Sequence, residues 1–593
     1  MNILLTTLNA KYVHSSLALR YLRSYAEPHF PGIRLVEYTI NDLAEKIAAD
    51  IYKRQPDVVG FSCYIWNITE TIAVIKRLKK VLPDVKIILG GPEVSYETRL
   101  FMEQHPYIDY VVAGEGEQTF LELLQALAAG RGAEGIPGVV YRDGDMIWEN
   151  PPRPLLSNLN VIPSPYQDRL EELENRIVYF ECSRGCPFKC QYCLSSIEDG
   201  VRYFHLERVK RDLKRLIDAG VRQIKFVDRT FNIHKRYALE IFQFLIDNRR
   251  DTTFHFEITA DILKPDVVDF LNEHAPKGLF QFEIGVQSTN DLTNELVQRR
   301  QNFEKLANTV RKIKQGGKIH QHLDLIAGLP EEDYASFRKT FNDVYALQPD
   351  ELQLGFLKML KGVGVKIRAA EHGYVWNDEP PYEILYNNVL SYDDILRLKG
   401  VEDILERYSN SHKFDVSLPY IIAQEFATPF DFFQDFADYW ETHGLFKIGH
   451  RLKALYQHLY DFLQTRNSKH LPVIRELLKL DMALHERSRQ WPDWIRPEDD
   501  PARVEQTYQL LQNEAWRQAN MPVLADVPPH LIRKNSFVLT LRCDVDKAVL
   551  EPQQTQTGNE RSTVVVYYDA PHRQAGAADY FVLSETDRLV ASK

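Results

Sequence analysis

Apolar and polar positions alternate in two registers along the first 370 residues. Strand-length apolar runs stand at "NILLTTL", "IRLVEYT", "DVVGFS", "VKIILGG" and "IDYVVAG" within residues 1–142. Between them apolar residues recur at the spacing of one helix face, as in "ITETIAVIKRLKKVL" from Ile68. This pattern predicts a parallel sheet wrapped by helices, one domain over 1–145. A Pro-rich stretch follows, "ENPPRPLLSNLNVIPSP" at 149–165. It predicts a linker or wrapping strap over 146–170.

The alternation resumes over 171–370. Predicted strands are "RIVYFE", "RQIKFV", "TFHFEI", "LFQFEIGV", "IHQHLDLIAG" and "ELQLGFL". Helical stretches separate them, such as 303–317, which ends on glycine. Six strand–helix units are too few for a closed eightfold barrel, so an open, partial (β/α)6 barrel is expected. The pattern changes after about residue 370. Residues 371–593 read as a mostly helical domain with terminal strands at "SFVLTLRC" and "TVVVYYD". Its aromatic run, Phe430, Phe432, Phe433, Phe436 and Tyr439, has near-helical spacing, as core packing requires.

Composition narrows the class. The chain has 593 residues, 44% hydrophobic and 26% charged, the balance of a globular protein of several domains. A net charge of −11 disfavours a surface built for nucleic acid. No apolar run is long enough to span a bilayer, and the N-terminus carries no leader pattern, so a cytoplasmic location is expected.

Candidate chemistry concentrates at "ECSRGCPFKCQYC", where Cys186, Cys190 and Cys193 have C-x3-C-x2-C spacing. Three close thiolates can hold three irons of a cubane cluster and leave the fourth open. A structural zinc site would need a second ligand pair held apart, which is missing. A conventional cluster would use Cys182 as well.

This motif, with an aromatic before its last cysteine and after the first strand of a six-unit barrel, resembles the radical S-adenosyl-L-methionine (SAM) enzymes. The resemblance implies a 4Fe-4S cluster on Cys186, Cys190 and Cys193. Its open iron would be chelated by the amino and carboxylate groups of SAM. SAM contacts are then implied at Tyr192 and along later strand ends. Asp228 would stand in for the family's absent Gly-Gly-Glu motif, followed by Glu257, then Glu283, Gln287 and Ser288 in "FEIGVQSTN", and Ile326 and Gly328 in "DLIAGLP".

The N-terminal layout, with "VGFS…WN", "LGGPE" and "AGEGE", is similar to the cobalamin-binding domains paired with such barrels. These loops are not a GxGxxG fingerprint, and Glu115 and Glu117 would repel a pyrophosphate. Cobalamin contacts are implied at Tyr12, His14, Ser62, Trp66, Asn67, Gly90, Gly91, Pro92, Glu93, Gly114, Glu115, Gly116 and Glu117. No DxHxxG motif is present, so His14 is expected at a helix start or against substrate rather than on cobalt. Tyr12, Ser62 and Trp66 are the other lower-face neighbours.

The resemblance implies an enzyme that methylates an unactivated carbon through a 5′-deoxyadenosyl radical and methylcobalamin. Cyclisation or rearrangement without methyl transfer is the alternative. A methylthiotransferase would need a second three-Cys cluster, and the N-terminal domain has only Cys63. A non-catalytic cobalamin or redox sensor is the remaining class. The implied partners are a small-molecule or peptide substrate and an electron donor such as flavodoxin or ferredoxin.

Overall fold

The computed structural model describes residues 1–197, 200–487, 490–498, 500–552, 561–568 and 578–583. Strands β1 (Ile3–Asn9), β2 (Arg34–Thr39), β3 (Val58–Ser62), β4 (Lys86–Gly90), β5 (Tyr110–Val112), β6 (Val139–Asp143) and β7 (Met146–Glu149) form one sheet, ordered β2-β1-β3-β4-β5-β6-β7. The first five run parallel, and β6 and β7 add antiparallel. Both β1 and β3 are buried along their whole length, which is why apolar residues dominate them without a period-two alternation.

An apolar core lies on each face of this sheet. One holds Ile47, Ile51, Ile72, Ile75 and Phe101 from helices Ala44–Lys53, Ile68–Val81 and Thr98–Gln104. The other holds Leu19, Phe120, Leu123 and Leu124 from helices Leu17–Ala26 and Gly116–Ala128. Strand order reverses between β1 and β3, the switch point where such sheets leave a crevice at their carboxyl ends.

The expected linker over 146–170 starts too early. Residues 146–149 are strand β7, an edge strand whose alternation is too short to stand out. The rest is a strap. Leu156 N–H donates to Glu115 at 2.9 Å, and the Leu156 and Ile162 carbonyls accept from Arg202 at 2.8 Å and Arg208 at 2.5 Å.

The second sheet holds β8 (Ile177–Phe180), β11 (Gln223–Phe226), β12 (Thr253–Ile258), β13 (Phe280–Gln287), β14 (His320–Ala327) and β15 (Glu351–Phe356), in the order β15-β14-β13-β12-β11-β8. It is an open, partial barrel. A short antiparallel ribbon, β9 (Ser183–Gly185) with β10 (Val201–Tyr203), flanks the cysteine loop. Along β12, β13 and β14 buried and half-buried residues alternate strictly. The buried face carries Phe254, Phe256, Phe280 and Phe282 against Phe242 of helix Lys235–Asp247. The other face carries Lys225, His255, Glu257, Glu283, His322 and Asp324.

Two compact units emerge. The first comprises residues 1–350 and 354–392, and the second 351–353 and 393–593. The compact units divide at 392/393. Residues 371–392 stay with the first unit because Tyr374 donates to the Gly328 carbonyl at 2.8 Å and Tyr382 donates to Glu93.

The second unit is helical, with an antiparallel sheet of β18 (Ser536–Leu541), β19 (Ser562–Tyr567) and β20 (Asp579–Leu583), numbered after the ribbon β16 (Val375–Trp376) and β17 (Ile384–Tyr386) of the first unit. In helix Pro429–Thr442, Phe430, Phe432, Phe433 and Phe436 are buried core and Tyr439 is half-buried. No helix among the described residues is long and apolar enough to cross a membrane.

Candidate active site

The cysteine loop leaves β9 through Gly185, at φ +95°. A side chain there would strike the Gly200 carbonyl, so the close approach of β9 to β10 requires glycine. Cys186 and Cys190 are buried and Cys193 is half-buried. The loop backbone is pinned on both sides: Gln191 N–H donates to Val297 O and Val365 N–H donates to Gln191 O, each at 2.9 Å. Burial pushes the Cys186 thiol up, and charge on Cys193 or Cys190 pushes it further. Three mutually opposing thiolates need a metal charge among them, and this donor set fits the three protein ligands of a 4Fe-4S cluster.

Cys182 stands outside the set. It is buried, and burial beside Asp228 and Glu181 holds its thiol well above the ordinary range. Its backbone is the working part. The N–H donates to both Asp228 carboxylate oxygens, at 3.1 and 3.0 Å.

That contact gives Asp228 a structural role at the head of the cysteine loop. The residue is only 2% exposed, and Ser183 Oγ also donates to it at 2.5 Å. Burial raises its carboxyl to about 7. Asp228 ties β11 to the start of the cysteine loop.

Ser288 is spent in the same way, donating to the buried Glu332 at 2.6 Å. Gly328, at φ +91°, is covered by Ile384, and its carbonyl is taken by Tyr374. The Tyr192 hydroxyl accepts from Arg299 at 2.9 Å.

Glu283 accepts from Lys225 at 2.9 Å and pairs with His255 at 2.8 Å. Burial opposes its charge, yet these partners hold it at about 2. Glu257, Gln287 and Ile326 remain half-buried on the inward face. Gln287 holds φ +69° beside a register shift in β13, and its side-chain oxygen is buried without a hydrogen bond.

A cavity of ≈760 Å³ lies between the carboxyl ends of the N-terminal sheet and the first barrel strand. Of the residues expected to hold cobalamin, His14, Ser62, Trp66, Gly90, Gly91, Pro92, Gly114, Glu115, Gly116 and Glu117 line it. Leu194 and Ser195, directly after Cys193, line it too. Gly114 takes φ +82° with open space where a side chain would project, a cradle that fits a large flat ring. Gly91 takes φ +108° for another reason: a side chain there would strike the backbone of Cys63.

Three expected contacts lie elsewhere. Tyr12 is exposed beneath the Arg176 guanidinium, 3.8 Å from its ring. Asn67 is fully buried and donates to Thr7, Leu8 and Ser62, locking the ends of β1 and β3 together. Glu93 pairs with Lys361 at 2.8 Å.

His14 reaches across to the barrel. Its Nδ1 lies 2.8 Å from the Tyr179 hydroxyl, and its backbone pairs with Ile177 as an added bridge beside β8. Burial lowers its pKa, which favours the neutral ring.

The supposed repulsion at Glu115 and Glu117 is cancelled. Arg184 pairs with Glu117 at 2.6 Å, Glu181 at 2.8 Å and Glu115 at 3.3 Å, and Arg202 pairs with Glu115 at 2.9 Å. Sequence reasoning missed Arg184, although it sits inside the cysteine motif, because a motif does not say which loop its arginine faces. Period-two alternation on β11 and β12 could have flagged Lys225 and His255 as inward-facing.

The family model "B12 binding domain" matches residues 3–124 and "Radical SAM superfamily" matches 180–344. "Protein of unknown function (DUF4080)" matches 370–567. The chain is 30% identical over 347 residues to "Uncharacterized methyltransferase PH0819" of Pyrococcus horikoshii, covering 57% of this chain and 74% of that one. The chain belongs to the cobalamin-binding radical SAM enzymes.

It is also 30% identical over 304 residues to "Cobalamin-dependent radical SAM methyltransferase TokK" of Streptomyces tokunonensis, covering 48% of this chain and 44% of that one. The solved radical enzyme OxsB, with aqua-cobalamin and SAM bound, matches in fold with a TM-score of 0.55, 16% identity and coverage of 81% and 78%. As a member of the family the chain is an enzyme whose cofactors are a 4Fe-4S cluster, SAM and cobalamin. The third matched region extends from the first compact unit into the second.

Proposed function

We propose that this radical SAM enzyme transfers a methyl group to an unactivated carbon of a small-molecule or peptide substrate. One observation carries the reading: a single cavity is lined both by the strand ends of the cobalamin sheet and by Leu194 and Ser195 of the cluster loop. A carbon held there faces both cofactors. The cofactors supply the radical and methyl-carrying chemistry, while the protein orients them and excludes water. Cys186, Cys190 and Cys193 hold the cluster. Glu257, Gln287 and Ile326 remain on the inward face for SAM, and the glycine-rich loops after β4 and β5 cradle the ring. The reducing cytoplasm suits three free thiols and supplies a donor such as flavodoxin or ferredoxin.

Anaerobic reconstitution tests this. The expected result is about four irons per chain, 5′-deoxyadenosine on reduction with SAM, and transfer of label from methyl-labelled SAM to cobalamin. Cys190→Ala should abolish 5′-deoxyadenosine formation. If 5′-deoxyadenosine forms while no label reaches cobalamin, methyl transfer is wrong and cyclisation or rearrangement takes its place.

A further inference from the structure

Most cations around the shared cavity are already matched. Arg184 and Arg202 bind the glutamates of the "GEGE" loop and Glu181. Lys225 binds Glu283. Arg176 donates to the carbonyls of Tyr12 and His14. Arg229 is the contrast. It lines the cavity and is exposed there, and its guanidinium makes no hydrogen bond or ion pair among the described residues.

Its neighbours are fixed one by one. Asp228 is clamped to Cys182 and Ser183. Thr230 donates to the Arg229 carbonyl at 2.7 Å, with its hydroxyl 4.0 Å from the Cys186 sulfur. Phe231 is buried against Phe226, Phe242 and Phe256. Asn232 exchanges two hydrogen bonds with the Thr259 backbone, at 2.8 and 2.9 Å. The segment is rigid, and one side chain in it is left over. The charge of Arg229 is felt by Tyr64 on the cobalamin sheet and by Glu257 on the barrel, which places it between the two cofactor-binding elements.

We propose that Arg229 reads an anionic group, a carboxylate or phosphate, on the substrate. A planar guanidinium held on a rigid strand end suits bidentate recognition of such a group. SAM also carries a carboxylate, but that group would be taken up by the open iron of the cluster. The inference rests on the methyl-transfer reading and adds the substrate's charge to it.

The test is phenylglyoxal labelling of the cobalamin- and cluster-loaded enzyme with SAM bound, read peptide by peptide by mass spectrometry. Glutarate and inorganic phosphate serve as probes, and exposed Arg131 is the control. Arg229 should label in the SAM-loaded enzyme. An anion at about ten times its dissociation constant should slow that labelling about tenfold by mass action, with Arg131 unchanged. If SAM alone shields Arg229, the guanidinium serves SAM and the proposal falls. It falls equally if neither anion protects Arg229, or if Arg131 is protected to the same degree. Label transfer from methyl-labelled SAM to cobalamin is scored in the same preparation. Its absence with Arg229 protected counts against methyl transfer and leaves the anion site standing.

Discussion

The N-terminal sheet offers its cavity a rim of glycines, Gly90, Gly91, Gly114 and Gly116, whereas the barrel offers side chains that largely satisfy one another. At the first, Gly114 leaves open space and Asn67 works from behind, tying strand ends together. At the second, Asp228, Ser288 and Glu283 are each committed to protein partners. A large flat ring asks for close approach and shape, which backbone supplies. A charged cofactor bound among polar groups asks for a rigid frame, and the barrel builds that frame by pairing its own charges, leaving Arg229 and Glu257 outside it. Arg184 joins the two regions by binding glutamates from both sides.

Removing that joint should have the largest effect. Arg184→Met leaves Glu115, Glu117 and Glu181 crowded with one fewer cation, and loss of one partner from a buried network costs about 3–5 kcal/mol. Denaturant unfolding should show it, and a change below about 1 kcal/mol would mean that the two regions do not depend on this bridge.

The two glycines sharpen the contrast within the sheet. Gly91→Ala should cost about 3 kcal/mol, because φ is left-handed and the new methyl meets the Cys63 backbone. Gly114→Ala should cost only about 1–2 kcal/mol, from the backbone alone, yet weaken cobalamin binding. Melting temperatures and cobalamin titrations of both variants separate fold from cradle.

On the barrel, two carboxylates titrate with opposite signs. Glu283 is held at about 2, so its stabilisation is present above the ordinary glutamate range and is lost as pH falls toward 2. Asp228 is raised to about 7, so its contribution is present at low pH and is lost as pH rises through 7. Of these two, Asp228 is the one that changes between pH 5 and 8, and the comparison with Asp228→Asn separates it from Glu332, which is also raised to about 7. The stability of wild type relative to Asp228→Asn should therefore fall over that window, as read by denaturation midpoints at each pH. A flat difference would show that Ser183 and the Cys182 N–H fully compensate its burial.

Smallest of all should be Tyr12→Ala. It removes an exposed ring beneath Arg176, worth about 0.5–1 kcal/mol, and should leave cobalamin affinity unchanged because Tyr12 does not line the cavity. A weakened affinity would return Tyr12 to the rim.

How far the sequence could be read follows from which forces act locally. Buried parallel strands appear as apolar runs and half-buried ones as alternation, so β1, β3, β4 and the barrel strands were legible. A ligand loop of three cysteines within eight positions is a local object, and its chemistry was legible with it. The glycine-rich rim was readable as well, since each loop carries its own backbone requirement. Asp228, Ser288 and Gly328 were assigned to SAM because strand ends are where ligands bind. Nothing in the chain near Asp228 announces Ser183, 45 residues away, or near Gly328 announces Tyr374 and Ile384.

By itself, then, the sequence determined the two sheets and the three-cysteine loop, since periodicity and close spacing are properties of neighbours along the chain, and its resemblance to a known family supplied the cofactor class. Only the tertiary structure decided which polar groups were already satisfied: Arg184 by three glutamates, Asp228 by the cysteine loop, His14 by Tyr179. A charge is available to a ligand only when no partner is within reach, and reach is measured in space. That is why Arg229 stands out only in space: among the described residues its guanidinium lines the cavity without a hydrogen bond or ion pair.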